Sequence, residues 1–175
     1  SRTGERNLFF MRAAKGFRAG GINVNTVFAP DQIPLHYKAE ELWSYEAGVK
    51  NRLWDDRLQL DAYVYFNCWD SMQVSQDLDG LYGYLSNAGE AEALGAEVEL
   101  TVKATKNLTL AAFLALIDNE MKETILDSFG RVVVEKGNSI PLTPKTKLTL
   151  TAEYAWPVTS RLNATAFARW TYRSK

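Results

Sequence analysis

The residues able to do chemistry are few and scattered. His36 is the only histidine and Cys68 the only cysteine among 175 residues. One histidine supplies neither a histidine-rich metal cluster nor the centre of a recognisable Ser-His-Asp triad. Cys68 has no partner for an internal disulfide, and its parity with Phe66 puts it on an apolar face, as an inert small hydrophobe. Gly16, Gly20 and Gly21 in "KGFRAGG" lack phosphate-loop spacing, and no helical pattern follows, so they read as a flexible loop entry. The acidic pairs Glu40–Glu41 and Asp55–Asp56 fall at strand starts and turns, as solvated carboxylates. Asp118, Glu120, Glu123 and Asp127 punctuate a long connection without the regular spacing of a calcium loop. The expectation is that the protein is not an enzyme and needs no cofactor and no metal.

The elements that hold these residues are more informative. In "RLQLDAYVYFNCWD", residues 57–70, Leu58, Leu60, Ala62, Val64 and Phe66 alternate with Gln59, Asp61, Tyr63, Tyr65 and Asn67. Period two makes an extended strand with one apolar and one polar face. Seven such stretches recur, at 5–16, 42–54, 57–76, 91–104, 107–119, 145–156 and 161–173. The fifth, with "LTLAAFLALI", is Leu- and Ala-rich and carries the strongest competing helical tendency. Facing follows from parity: Leu60, Val64, Leu100, Leu110 and Leu150 share one surface, and Asp61, Glu97, Glu99 and Glu153 the other.

The connections alternate strictly. Short hairpin turns are expected at 55–56, 104–106 and 157–160, and long loops at 17–41, 77–90 and 120–144. In an antiparallel meander every short turn then lies at one end and every long loop at the other. A soluble sandwich has no reason to keep that asymmetry, whereas outer-membrane barrels do. The stretches run to about 12 residues, against about 5–6 for an ordinary strand and about 9–11 for a tilted membrane crossing. Trp54 and Trp156 lie beside short turns, and Trp43, Trp170 and Tyr172 near the long-loop end, as two interfacial aromatic belts require. The fold class expected is all-β: an antiparallel meander of long strands, part of a transmembrane β-barrel. The competing reading is a soluble β-rich binding or structural domain. A net charge of −1, from 20 basic and 21 acidic residues, gives no footprint for nucleic acid.

Several segments resemble the carboxy-terminal half of the barrel of TonB-dependent outer-membrane receptors. "AAKGFRAGGINVN" (13–25) is similar to a strand end and loop of that family. "ELWSYEAGVKNRLWDDRLQLDAYVYFNCWDSMQV" (41–74) resembles its hairpin with the E…yE.G.K and d.QV patterns. "SNAGEAEALGAEVELTVKATKNLTLAAFLALIDNEM" (86–121) matches NAg.a…G.E.e, and "GNSIPLTPKTKLTLTAEYAWPV" (137–158) the strand that follows. The resemblance spans nearly the whole chain in order. It implies residues 1–175 as a partial barrel domain, with the plug domain and the final strands absent, in a family whose barrels have about 22 strands. Seven strands alone leave two open edges, which lipid cannot satisfy.

The resemblance also implies function: a receptor of the bacterial outer membrane that imports a large ligand such as a ferric siderophore, energised through TonB. The expected partners are outer-membrane lipid, a ferric siderophore or similar ligand, and TonB, which would be engaged through an amino-terminal region outside this chain. The long loops would line the entrance. They carry Arg18, Asn23, Asn25, His36, Tyr37, Tyr82, Tyr84 and Arg131, chosen by position as groups able to bind an anionic or aromatic chelate.

Overall fold

Alternating faces and tight turns build one long-stranded meander in the computed structural model, which describes residues 6–87, 89–127, 129–140 and 143–174. Seven strands form a single antiparallel sheet: β1 (Arg6–Arg18), β4 (Glu40–Leu53), β5 (Leu58–Asp70), β8 (Ala91–Lys103), β9 (Leu108–Met121), β12 (Thr146–Thr159) and β13 (Leu162–Arg173). Each pairs with its neighbour in that order. The short strands β2 (Gly21–Ile22), β3 (His36–Tyr37), β6 (Gln73–Leu78), β7 (Tyr82–Asn87), β10 (Ile125–Leu126) and β11 (Val132–Val134) pair among themselves within the long connections. A 3₁₀ turn spans Val24–Val27. The expected start of the first strand at residue 5 lies outside the described residues.

The expected meander and facing are what the register shows. Leu60 lies opposite Leu100, Leu100 opposite Ala112, and Ala112 opposite Leu150, which in turn opposes Trp170. Val64 opposes Ala96, and Ala96 opposes Leu116, on the same face. On the other face Asp61 opposes Glu99, Tyr63 opposes Glu97, and Glu153 opposes Phe167. The Leu- and Ala-rich stretch is strand β9, because cross-strand partners on both sides outweigh its local helical tendency.

Three expectations are corrected. The stretch 57–76 is not one strand: it breaks at Ser71, whose φ of 52° turns the chain out of the sheet, and restarts as β6. The connections 17–41, 77–90 and 120–144 are not plain loops, because β2 pairs with β3, β6 with β7 and β10 with β11. The last tight turn lies at 160–161 rather than 157–160. Pro157 stays in β12, opposite Asn163, with a bulge before Thr159. Its position explains why this is tolerated. The Ala155 N–H donates to Asn107 O at 2.9 Å, so by period two residue 157 would aim its N–H past the end of β9, where no acceptor is lost.

The core is not in the middle of the sheet. Val64, Leu94, Leu110 and Leu150 are exposed on the apolar face. Apart from Ala115 within β9, the buried apolar side chains gather at the long-loop end, in two clusters: Ala91, Met121 and Ile125, and Ile33, Leu78 and Tyr84. A sheet of this size with an uncovered leucine and tryptophan face needs a non-aqueous neighbour. Stacked pairs lie near both ends of that face, Trp43–Tyr45 and Trp170–Tyr172 toward the long loops and Tyr154–Trp156 toward the short turns. β1 and β13 each have one edge unpaired. Among the described residues no helix is long and apolar enough to cross a membrane.

Candidate functional site

Arg18 ends β1 and Glu40 begins β4, in direct register. The Arg18 guanidinium donates to Glu40 Oε2 at 2.7 Å, and the Gln73 backbone N–H donates to the same oxygen at 2.6 Å. Gln73 Nε2 in turn donates to Ala19 O at 2.9 Å and to Lys38 O at 3.0 Å. Burial pushes the Glu40 carboxyl up, but the Arg18 and Gln73 bonds outweigh it and hold the group below its ordinary range. Asn87 adds a second clasp: the Lys38 N–H donates to Asn87 Oδ1 at 2.7 Å, and Asn87 Nδ2 donates to Ser71 O at 2.7 Å. Four separate segments are thereby tied together at the rim.

Above the rim the first two connections pack as one unit. Asn23 is buried, and its side chain pairs with the β7 backbone in both senses. Nδ2 donates to Leu85 O and the Leu85 N–H donates back to Oδ1, both at 2.8 Å. Asn25 Nδ2 donates to Gly83 O at 2.7 Å. Tyr84 is buried with Ile33 and Leu78, and Tyr82 stacks on Phe28 with centroids 5.3 Å apart. The Tyr37 ring lies over Gly21, where a Cβ would meet its Oη at 2.5 Å. His36 is exposed on β3 opposite Ile22.

The third connection joins through Gln76, whose Nε2 donates to Leu126 O at 3.2 Å, and through Met72 and Val74 packed on Met121 and Ile125. Arg131 belongs to its own hairpin. Its Nε donates to Asp127 Oδ2 at 2.7 Å, and its guanidinium lies 4.9 Å over the Phe129 ring. Burial raises the Asp127 carboxyl, but bonds from the Arg131 and Phe129 amides and the guanidinium outweigh that and lower it. Of the residues expected at an entrance, Asn23, Asn25, His36, Tyr37, Tyr82 and Tyr84 are therefore brought together. Arg18 sits below them in the rim clasp, and Arg131 stands apart.

The polar face of the sheet carries a second constellation. Tyr63 Oη donates to Glu97 Oε2, and Arg12 Nη2 donates to Glu46 Oε2 at 2.8 Å. Both tyrosines lie against glycines, Tyr63 through its Cβ and Tyr65 through its ring. A Cβ on Gly48 would lie 2.6 Å from Tyr63 Cβ, and one on Gly95 2.1 Å from Tyr65 Cζ. Sequence reasoning singled out neither these glycines nor Gln73 and Asn87, whose signal was present only as fragments of the family pattern, E…yE.G.K, d.QV and NAg. Glu40, expected as a solvated carboxylate, is instead buried and bonded, because Arg18 and the Gln73 amide converge on it. Among the described residues no cluster of histidine, cysteine, aspartate and glutamate is arranged to hold a metal ion.

A long-stranded sheet with an apolar exposed face, a polar face and its loops packed at one end is a wall segment of a membrane β-barrel. The family model described as the β-barrel of TonB-dependent receptor-like proteins matches residues 4–175, and the chain belongs to that family. The family is one of outer-membrane proteins, and the bacterial outer membrane is the location of this chain. Three solved structures share the fold. The ferric yersiniabactin uptake receptor FyuA of Yersinia pestis aligns with a TM-score of 0.66 and 20% identity over 91% of this chain. The siderophore receptor PiuA of Acinetobacter baumannii aligns at 0.65 and 22% over 94%, and the alcaligin outer-membrane receptor FauA of Bordetella pertussis at 0.56 and 14% over 97%. The alignments cover 22%, 24% and 27% of those chains respectively, so this chain spans about a quarter of their length.

Proposed function

We propose that this chain is part of the wall and outer rim of a receptor that imports a ferric siderophore or a similar large ligand across the outer membrane, energised through TonB. The observation that carries the reading is the one-sided cap: all three long connections fold onto one another at the end opposite the short turns, on a sheet whose apolar face is uncovered. In this reading the unpaired edges of β1 and β13 are continued by other strands of the same barrel, because lipid offers no partner to a strand edge. The polar face, with Glu46, Asp61, Glu97, Glu99, Tyr63 and Tyr65, then looks into the lumen toward a plug. TonB would be engaged by a part of the receptor outside these strands.

The protein's work is binding and gating rather than covalent chemistry. Asn23, Tyr84, Gln73 and Glu40 hold the cap in shape, so that the exposed His36 and the half-buried Asn25 and Tyr82 meet a ligand with little ordering left to do. A soluble β-rich domain is disfavoured by the exposed Val64, Leu94, Leu110 and Leu150 face. The test is radio-iron uptake by cells with and without the full receptor under iron limitation. Receptor-dependent, TonB-dependent accumulation is the expected result, and equal uptake in both strains overturns the proposal.

A further inference from the structure

The cap has an electrical character that an anionic chelate would not meet well. Connection 17–41 carries Asp31, Glu40 and Glu41 against Arg18 and Lys38. Connection 77–90 carries Asp77, Asp79 and Glu90 against no cation. Connection 120–144 carries four carboxylates against three cations. The total is ten carboxylates against five cations. Three of the five cations are already taken: Arg18 by Glu40, Lys122 by Glu92 and Glu120, and Arg131 by Asp127. The two arginines that sequence reasoning offered to an anion are thus neutralised where they stand.

Between the first two connections lies a cleft of about 350 Å³, lined by residues 28–32, 78–79 and 81–82. Phe28 and Tyr82 form its aromatic wall, stacked with rings 13° from parallel. Leu81 projects from the lip, 74% exposed, and Asp31 and Asp79 supply carboxylates. The cleft is held open from behind. Ile33 and Leu78 are packed under it with Tyr84, and Asp77 accepts the Gly80 N–H to fix the β6–β7 turn. An aromatic wall with two carboxylates in the same lining favours a flat apolar body carrying a positive charge, through stacking, cation–π attraction and Coulomb attraction together.

We propose that this cleft captures a cationic, ring-bearing group, and that the ligand of this receptor is neutral or cationic rather than anionic. The statement rests on the import reading for what the captured ligand is, though not for the cleft itself. The lining residues all lie in the first two connections.

The experiment compares tyramine with 4-hydroxyphenylacetate, the same phenol carrying an amine or a carboxylate, on the full receptor in liposomes by saturation-transfer NMR. Tyramine is expected to bind at least about fivefold more tightly at low salt. The preference is expected to vanish in Asp31→Asn with Asp79→Asn, which keeps the shape of the cleft, and both ligands to weaken in Phe28→Ala. Equal binding, a preference for the carboxylate, or a preference that survives the double asparagine variant overturns the proposal. Radio-iron uptake separates the two readings. Tyramine preference without receptor-dependent uptake leaves the cleft standing and removes import. Uptake without tyramine preference removes the cleft and leaves import standing.

Discussion

The Glu40 carboxylate accepts the Arg18 guanidinium at 2.7 Å and the Gln73 amide at 2.6 Å on one oxygen, at a site only 7% exposed. Removing it leaves a buried amide and a guanidinium without their acceptor. Glu40→Ala is expected to cost about 1–3 kcal/mol and to free the rim segment 71–74 for proteolysis before the sheet unfolds. Urea titration of the full receptor, with protease sensitivity followed in parallel, checks this. Unchanged sensitivity would contradict it.

The same site predicts a pH dependence. The Glu40 carboxyl is held below its ordinary value near 4.5, so its contribution is present above that value. It is lost as pH falls through the lowered folded value, because protonation then releases Arg18 and Gln73. The stability gap between the natural protein and Glu40→Gln is therefore expected to be constant from pH 7 to near 5 and to shrink in stronger acid. A gap that persists unchanged into strong acid would show that the charge contributes nothing.

Tyr65 lies across Gly95 so closely that a Cβ there would fall 2.1 Å from the ring. Gly95→Ala is expected to cost about 1–3 kcal/mol by forcing the ring aside. Tyr65→Ala with Gly95→Ala should then be less costly than the two single changes added together, since the clash is gone. Strict additivity in a double-mutant cycle would refute the contact.

Asn23 and His36 lie in the same connection but differ in what they do. Asn23 is buried and bonds to β7 in both senses, whereas His36 is exposed. Asn23→Ala is expected to lose about 1–3 kcal/mol of loop docking and ligand affinity together, and His36→Ala to leave stability unchanged within about 0.5 kcal/mol. Thermal unfolding and ligand titration on the same samples separate the two.

The sheet was legible because alternation is a local signal. Each strand announces its own two faces, and the short turns fix which strands pair. What lies at the rim is written over long separations instead. Glu40 and Gln73 are 33 residues apart and neither sits in a motif with chemistry of its own. The break after Asp70 was missed because Ser71 adopts a positive φ without being glycine. Pro157 reads as a turn residue and is a strand residue, because the end of β9, not the local sequence, decides whether its missing N–H matters. Position picked out Asn23, Asn25, Tyr82 and Tyr84 as loop groups able to meet a ligand, and the fold packs them into one unit. It could not show that Arg18 and Arg131 each have a carboxylate of their own.

The lipid-facing assignment predicts a cost that depends on face. Val64→Lys or Leu110→Arg is expected to destabilise folding into a bilayer by about 2–4 kcal/mol, and Thr109→Lys, on the opposite face, by far less. Equal costs on both faces, measured by titrated folding into vesicles, would contradict the assignment.

The central claim, that this sheet is a barrel wall with lipid on one face and water on the other, is tested most directly by spin-label accessibility in the full receptor reconstituted in bilayers. With Cys68 replaced by serine, single cysteines at Asp61, Val64, Glu99, Leu110, Leu150 and Thr151 are labelled in turn. Labels at 64, 110 and 150 are expected to collide preferentially with oxygen, and those at 61, 99 and 151 with a water-soluble nickel chelate. Nickel accessibility at 64, 110 and 150 equal to that at 61, 99 and 151 would contradict the account.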